Sequence, residues 1–380
     1  VAGPLTGVRV VELAAIGPVP YGVMLLADLG ADVIRVDRAA AAQGALGGEA
    51  SMIGLSRNRR SLAVDLKTVE GVEVVRRLTA QADVLVEGFR PGVAERLGLG
   101  PEALRADHPG LIYAQVTGWG QEGPLAPRAG HDLDYAALAG ALHPIGRPGE
   151  PPPPPINYLA DFAGGGAFLA IGVLAALVER TTSGEGQVID VAMVDGAASL
   201  TSFLHGLRQL GAWNTERGSN LLDGAAPYYD TYRCADGRFL ALAALEPRFH
   251  AELCARLSLD PEDWPQHDRA AWPEQKERLA ALLATRDRDD WVAVFEGSDA
   301  CVAPVLDLEE APQHPHHQAR GTFSEAFGVV QPAPAPRLSR TPGMVERPAP
   351  EPGQHTTEIL AALGYDDAQR TAMRERGAIA

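Results

Sequence analysis

Val8–Glu12 reads VRVVE, Tyr21–Leu29 reads YGVMLLADL, and Ala31–Asp37 reads ADVIRVD. The first run follows a glycine and is rich in valine, as strands are. The second is a helix-length apolar segment that Gly30 stops. The third is again β-branched. Two strands joined through a helix by short links form a βαβ unit, which implies a parallel sheet.

The alternation continues outward from this unit. Glu70–Gln81 is expected to be helical, Asp83–Phe89 (DVLVEGF) a strand, Pro101–Asp107 a short helix and Leu111–Gly120 (LIYAQVTGWG) a strand. Leu133–Leu142 reads as a helix. Pro151–Pro155 is an unbroken proline run that neither helix nor sheet tolerates, so it reads as a stiff extended link. Phe162–Glu179 reads as one long helix, Gly184–Gly186 as a turn, and Gln187–Asp195 (QVIDVAMVD) as a strand feeding a helix. Beyond Asp223 the texture changes. Tyr228–Leu245 (YYDTYRCADGRFLALAAL) has two strands around the hairpin turn ADGR. Helices follow at His250–Leu257, Glu274–Ala284 and Asp289–Val294, which reads as a smaller α+β domain. Pro332–Pro352 is expected to wrap over a surface, and a last helix near Thr356–Leu363 to dock on the first domain.

Composition narrows the function. The 380 residues include 33 Lys and Arg against 49 Asp and Glu, a net charge of -16. Affinity for phosphate backbones comes from an excess of cations, so nucleic-acid binding is not expected. Hydrophobic residues at 46% and charged residues at 22% argue for a globular chain rather than a disordered one. Cys234, Cys254 and Cys301 are widely separated and odd in number, which fits a reducing, cytoplasmic setting and no disulfide framework. No secretory signal is read at the N-terminus. The apolar stretch Ala163–Val178 is shorter than the roughly 18 residues of a membrane span, so no span is expected.

Four groups of residues have chemical potential. Arg57, Arg59, Arg60 and Lys67, with Arg35, Arg38, Arg90 and Arg96 near strand ends, read as an anion site, because ligands of parallel sheets bind beyond the carboxyl ends of the strands. His131 and Asp132, in AGHDLDY, stand just before an expected helix. Their alternatives are a catalytic base and a plain cap beside a structural histidine. Asp161 precedes Gly164–Gly166 at the start of an apolar helix. The glycines would let a ligand approach the backbone, and nearby N–H groups would hold an oxyanion; the alternative is again a capping Asp. Glu246 ends an apolar strand just before Pro247, as either a functional acid or a solvated strand end. His314, His316 and His317 have no acid or cysteine at ligand spacing, so no metal site is expected. Gly118, Gly120 and Gly123 match G-x-G-x-x-G, but Pro124 and Pro127 follow where a dinucleotide fold opens a helix, so the segment reads as a loop.

Taken together, several ordered segments resemble one family: Pro4–Arg38, Ala82–Leu104, Leu111–Pro124, AGHDLDY, SGEGQVIDVAMVDG and DACVAPVLDLEEAPQHPHHQARGTF. They are similar to the α-methylacyl-CoA racemases within the family III CoA-transferase superfamily, over about Pro4 to Pro342. The resemblance implies an α/β fold with a large Rossmann-like parallel-sheet domain plus a smaller α+β domain, in an interlocked homodimer whose active site lies between subunits. The divisions expected are residues 1–190, the first part of the large domain; 191–224, linker helices; 225–330, the small domain; and 331–380, a return to the large domain.

The resemblance also implies roles. His131, Asp161 and Glu246 match the family's catalytic residues. Coenzyme A contacts fall on Arg38, on Val64, Asp65, Leu66 and Lys67, on Gly88, Phe89 and Arg90, on Arg96, and on Gly130, Asp132, Leu133, Asp134 and Tyr135 around the histidine. No cofactor is implied beyond the coenzyme A that forms part of an acyl-CoA substrate. The segment from Ala39 to Ser56 looks longer than is usual in the family and is expected to alter the entrance over the nucleotide. The proline run is expected to reshape the rim near Asp161.

The expected reaction interconverts (2R)- and (2S)-2-methylacyl-CoA. One group removes the α-proton, an enolate forms, and a group on the opposite face returns the proton. His131 and Asp161 would serve the two faces, and Glu246 would orient the imidazole. Because an ordinary Asp is a stronger acid than His, burial is expected to raise the Asp161 carboxyl. The alternative is a CoA-transferase using Asp161 as a nucleophile through an acyl anhydride. The GHD histidine favours the racemase.

Overall fold

The computed structural model describes residues 3–42 and 54–380. Most of the long segment after Ala39 lies outside the described residues. The chain divides into two compact units, one of residues 1–141, 155–200 and 320–380, the other of residues 142–154 and 201–319.

The first unit is built on a six-stranded sheet. Its strands are β1 (Arg9–Leu13), β2 (Asp32–Arg38), β3 (Arg59–Val64), β4 (Val84–Glu87), β5 (Ile112–Thr117) and β6 (Val188–Ala192). Their spatial order is β3-β2-β1-β4-β5-β6, and every pair is parallel. The order reverses between β1 and β4. That switch point is where doubly wound sheets open a crevice for ligands, beyond the carboxyl ends of the strands.

Helices cover both faces. Helix α1 (Pro18–Asp28) and the long helix after Pro155 pack on one face, through Val19, Val23 and Leu26 with Leu169 and Val173. On the other face lie α3 (Val69–Thr79) and two C-terminal helices, through Val74, Val75, Leu78, Ile359, Leu360 and Met373. The short α2 (Ala39–Ala42), α4 (Val93–Arg96) and α5 (Pro101–Asp107) fill connections, and α6 (Asp132–Leu138) follows the β5 loop. This last helix is shorter than the sequence pattern implies. Gly140, at φ 76°, breaks the backbone after it.

The long helix differs most from expectation. It starts earlier, as a π-helix over Tyr158–Ala167, and continues as α7 (Phe168–Ser183). The 26-residue run is long and apolar enough to cross a bilayer by composition alone. Here Leu169, Ala170, Val173 and Ala176 are buried against the sheet, while Ile171 and Val178 on the same helix are exposed. The glycines explain the fit, and they correct the expectation that they admit a ligand. A Cβ on Gly164 would stand 2.7 Å from the Ala197 nitrogen of α8 (Met193–Ser199). One on Gly166 would stand 2.8 Å from the Pro18 carbonyl of α1, and one on Gly22 would meet the Gly166 carbonyl at 2.5 Å. The three glycines are occupied by neighbouring helices.

The C-terminal part closes the open edge. Ala333–Pro352 runs without regular structure and touches Asp28 and Asn58 through Met344. In the second unit, α9 (Ser202–Gln209) precedes an antiparallel sheet of β7 (Tyr229–Arg233), β8 (Phe239–Ala243) and β9 (Val302–Pro304). The hairpin turn closes as expected, with the Cys234 N–H donating to the Arg238 carbonyl at 2.8 Å. Helices α10 (Pro247–Arg256), α11 (Trp272–Leu283) and α12 (Arg288–Phe295) enclose a core around Trp264, Trp272 and Trp291. After α13 (Pro315–Arg320), the chain re-enters the first unit with a hairpin of β10 (Phe323–Ala326) and β11 (Val329–Pro332). There α14 (Thr356–Ala362) docks as expected. A charged helix that the sequence pattern did not reveal, α15 (Asp367–Glu375), follows it.

Candidate active site

The arginine cluster separates into two populations. Strand β3 was hidden in the sequence by its charged start, and that start points inward. Arg59 is fully buried, with its Nε 2.5 Å from Glu12 on β1 and one terminal nitrogen donating to the Pro20 carbonyl at 2.7 Å. Arg57 pairs with Asp28, Arg35 with Asp37, and Arg60 with Asp32 and Glu358. These four arginines hold the fold together, and the expectation that they form an anion site is corrected. Arg57, Arg59 and Arg60 found carboxylates from distant segments, which the sequence could not show, while Arg35 pairs with Asp37 on its own strand.

Arg38 and Lys67 behave differently. Both are exposed, and both line a cleft of about 690 Å³ beyond the carboxyl ends of β1, β2, β3 and β4. Val64, Asp65, Leu66 and Phe89 share its wall, with Leu13, Ala14 and Leu97. Asp65 is turned to local use: its Oδ1 accepts the Lys67 N–H at 2.9 Å, and Thr68 then caps α3 through the Gly71 N–H. That turn sets the start of α3 and the place of Lys67. Gly377 reaches the cleft because Ile379 pairs with Val64 in an antiparallel bridge. Leu13, Ala14, Leu97 and Gly377 were not anticipated. For Leu13 and Ala14 a signal existed, since they end the first strand of a doubly wound sheet.

Glu87 ends β4, two residues before Phe89 of the cleft wall. It is buried, accepts the Phe89 N–H at 2.6 Å, and faces Gln115, Tyr113 and Glu95. Burial pushes its carboxyl up to about 7, against hydrogen bonds from Phe89 and Gln115 that lower it. A raised carboxyl stabilises the fold fully at low pH and loses that contribution as pH climbs from about 4.5 to about 7. The loss through this group is expected to be about 3 kcal/mol. Glu87→Gln is therefore expected to flatten that part of the decline, read as denaturant unfolding at pH 4.5 and pH 8. The same decline in both proteins would contradict it.

The second cluster lies around Asp161. His131 is the N-cap of α6, exposed, and its backbone N–H donates to Asp134 at 2.9 Å. Asp132 is turned inward. Its Oδ1 accepts the N–H groups of Ala160 at 2.7 Å and Asp161 at 2.8 Å. Those donors were expected to hold an oxyanion, and they are already taken. Gly17, at φ 67° before Pro18, brings the backbone against the Asp161 carboxyl, where a Cβ would stand 2.9 Å from Oδ2. Asn157 donates to the same oxygen at 3.5 Å. Gly17 and Asn157 were missed, although a glycine between the first strand and a proline helix start was a visible signal.

Burial raises the Asp161 carboxyl above its usual range. The charge of Asp132 adds to this, and Asn157 and His131 oppose it. His131 directly precedes Asp132, whose side chain bonds the Ala160 and Asp161 N–H groups, and so stands at the Asp161 end of the long helix. Tyr135 is buried edge-on to Trp119, with ring centres 4.7 Å apart, and its ring fills the space that Cβ atoms on Gly118 and Gly130 would need. Burial, with the charge of Asp161, pushes its hydroxyl up to about 12, while Arg90 pulls it down. Leu133 is exposed on α6, Gly88 and Arg90 follow Glu87, and Arg96 ends α4. Residues 130–135 thus gather at Asp161, while Arg38 and 64–67 gather at the cleft. Glu246 lies in the second unit, exposed, as the N-cap of α10.

The family model for CoA-transferase family III matches residues 5–356. The chain belongs to CoA-transferase family III. Its family membership agrees with the motif resemblance, and the relatives sharpen it. The chain is 49% identical over 364 residues to the alpha-methylacyl-CoA racemase of Mus musculus, covering 95% of this chain and 93% of that protein. It is 46% identical to the alpha-methylacyl-CoA racemase of Homo sapiens, over 95% and 94% of the two chains. The human succinyl-CoA:glutarate CoA-transferase is 30% identical, over 96% of this chain and 87% of that protein. Among solved structures, a CAIB/BAIF family protein from Brucella suis superposes with a TM-score of 0.82 at 29% identity, covering 95% of this chain and all of that one.

Proposed function

We propose that this family III protein is an α-methylacyl-CoA racemase, interconverting (2R)- and (2S)-2-methylacyl-CoA thioesters. The observation that carries the reading is the Asp132 side chain accepting the Asp161 N–H at 2.8 Å, which ties the segment of His131 to a carboxyl whose acidity burial weakens. A thioester makes its α-proton removable because the carbanion spreads onto the carbonyl oxygen. Inversion then needs one base on each face of the planar enolate, each able to return a proton. An Asp of ordinary acidity would hold its proton too weakly at neutral pH, and burial corrects this.

The remaining parts follow from the same logic. Arg38 and Lys67 at the cleft bind the phosphates of coenzyme A, as exposed cations suit a polyanionic ligand. The Ala160 and Asp161 amides being taken, and those of Asp134 and Tyr135 being bonded to the His131 carbonyl, the Asp132 and Leu133 amides at the start of α6 supply donors to the enolate oxygen. Ile16, Ile156 and Tyr158, exposed apolar neighbours of Gly17 and Asp161 in the chain, offer the acyl chain an apolar surface. The working form is a homodimer in which Glu246 of the partner subunit orients the His131 imidazole and stabilises its charged form. An exposed acid at a helix N-cap is suited to that reach. Free cysteines throughout fit a cytoplasmic enzyme of lipid metabolism.

Incubating the protein with each pure epimer is expected to give the same mixture of both from either side. The transferase chemistry of other family members makes a second outcome definite. An Asp161 acyl anhydride trapped by hydroxylamine, with no change of configuration, would replace this reading. Arg38→Ala and Lys67→Ala are each expected to weaken coenzyme A binding about tenfold, as an exposed charge-assisted contact does, with unfolding unchanged. Calorimetric titration with coenzyme A checks both.

A further inference from the structure

Asp132 takes no part in the proton transfers above, yet it joins the two groups that do. It follows exposed His131 directly, but its own side chain is only 4% exposed. Its Oδ1 holds the N–H groups of Ala160 and Asp161, two first-turn donors of the π-helix. Its Oδ2 is buried with no hydrogen-bond partner among the described residues. A cap alone does not require a charge here, since Asn caps helix starts as well as Asp. An ionised oxygen left unpaired in the interior is costly, so its retention calls for a use.

We propose that Asp132 is a positioning residue, which ties Asp161 to His131 through the backbone and keeps a negative charge beside the Asp161 carboxyl. The inference rests on the reading of Asp161 as an acid–base group. The groups that face Asp161 act in opposite senses. Asp132 opposes its ionisation, while His131 and Asn157 favour it. From α6, Tyr135 senses the Asp161 charge, and Arg90 acts on Tyr135. Without Asp132 the balance moves towards ionised Asp161, and the carboxyl returns a proton to the enolate less readily. The same side chain fixes where that carboxyl stands. One residue thus sets both the place and the acidity of the second base.

Asp132→Asn separates the two roles, because its amide oxygen still accepts both N–H groups while the charge is gone. The carboxyl limb of its kcat–pH profile is expected about one unit lower than in the native enzyme, with KM unchanged. Asp132→Ser, which loses the reach as well as the charge, is expected to show the same displacement with kcat down about 100-fold. Circular dichroism of both variants reports the fold. A second arm uses Asp161→Asn, in which adding Asp132→Asn is expected to leave the residual exchange unchanged, since the charge then has nothing to act on. A native-like limb and kcat in Asp132→Asn would reduce Asp132 to a plain cap and overturn the proposal, while racemisation by the native enzyme continued. Native enzyme that fails to racemise at all would remove the racemase reading and this inference together.

Discussion

His131→Ala is expected to abolish racemisation while leaving proton exchange in one epimer. With the imidazole gone, the epimer that presents its α-proton to His131 becomes inert. The other still loses its proton to Asp161 and regains it on the same face. Asp161→Ala is expected to give the mirror result. General acid–base groups contribute about 100- to 10,000-fold, so conversion in either variant should fall by at least that lower figure. Deuterium incorporation measured separately for each epimer distinguishes the two faces. Equal loss of exchange from both epimers in both variants would contradict a two-base site, because it would mean that the residues act as one unit on one face.

Arg59→Ala is expected to destabilise the protein by about 3 to 5 kcal/mol, the cost of leaving a buried charge without its partner. Arg59 and Glu12 are both fully shielded, and the guanidinium also bonds the Pro20 carbonyl, so one side chain joins β3, β1 and α1. Denaturant unfolding measures the loss. Coenzyme A affinity of the folded fraction is expected to stay native, which sets Arg59 apart from Arg38 and Lys67. A variant that kept its stability and lost affinity would restore Arg59 to the binding site.

These results mark where the sequence was legible. Valine-rich runs separated by helix-length segments made β1, α1 and β2 readable, because burial on both faces leaves a nearly continuous apolar strand. Strand β3 escaped because it begins Arg59-Arg60, and charge at a strand start reads as surface. Its partners Glu12 and Asp32 come from distant parts of the chain, so the pairing exists only in the folded sheet. Helix α15 escaped for a related reason: among its residues only Met373 is buried.

The candidate site was legible in type rather than in detail. Gly164–Gly166 did signal close approach, but the approaching groups are α1 and α8 rather than a ligand. The π-helix could not be read from periodicity, although wide helical turns of this kind gather at functional sites. Asp132 was readable as a cap or a ligand contact. Its bond to the Asp161 backbone, 29 positions on, needed the fold. Glu246 stood out only as an acid ending an apolar strand, and its place at the N-cap of α10 leaves it exposed as that pattern allowed.

The central claim is proton exchange at the carbon beside the thioester, and deuterium labelling tests it most directly. Each epimer of a 2-methylacyl-CoA is incubated with the native enzyme in deuterium oxide, and label and configuration at C2 are followed together. Deuterium entering C2 as both epimers converge on one mixture is the predicted result. Unlabelled substrate of unchanged configuration, with its coenzyme A passing to an added carboxylic acid, would contradict it.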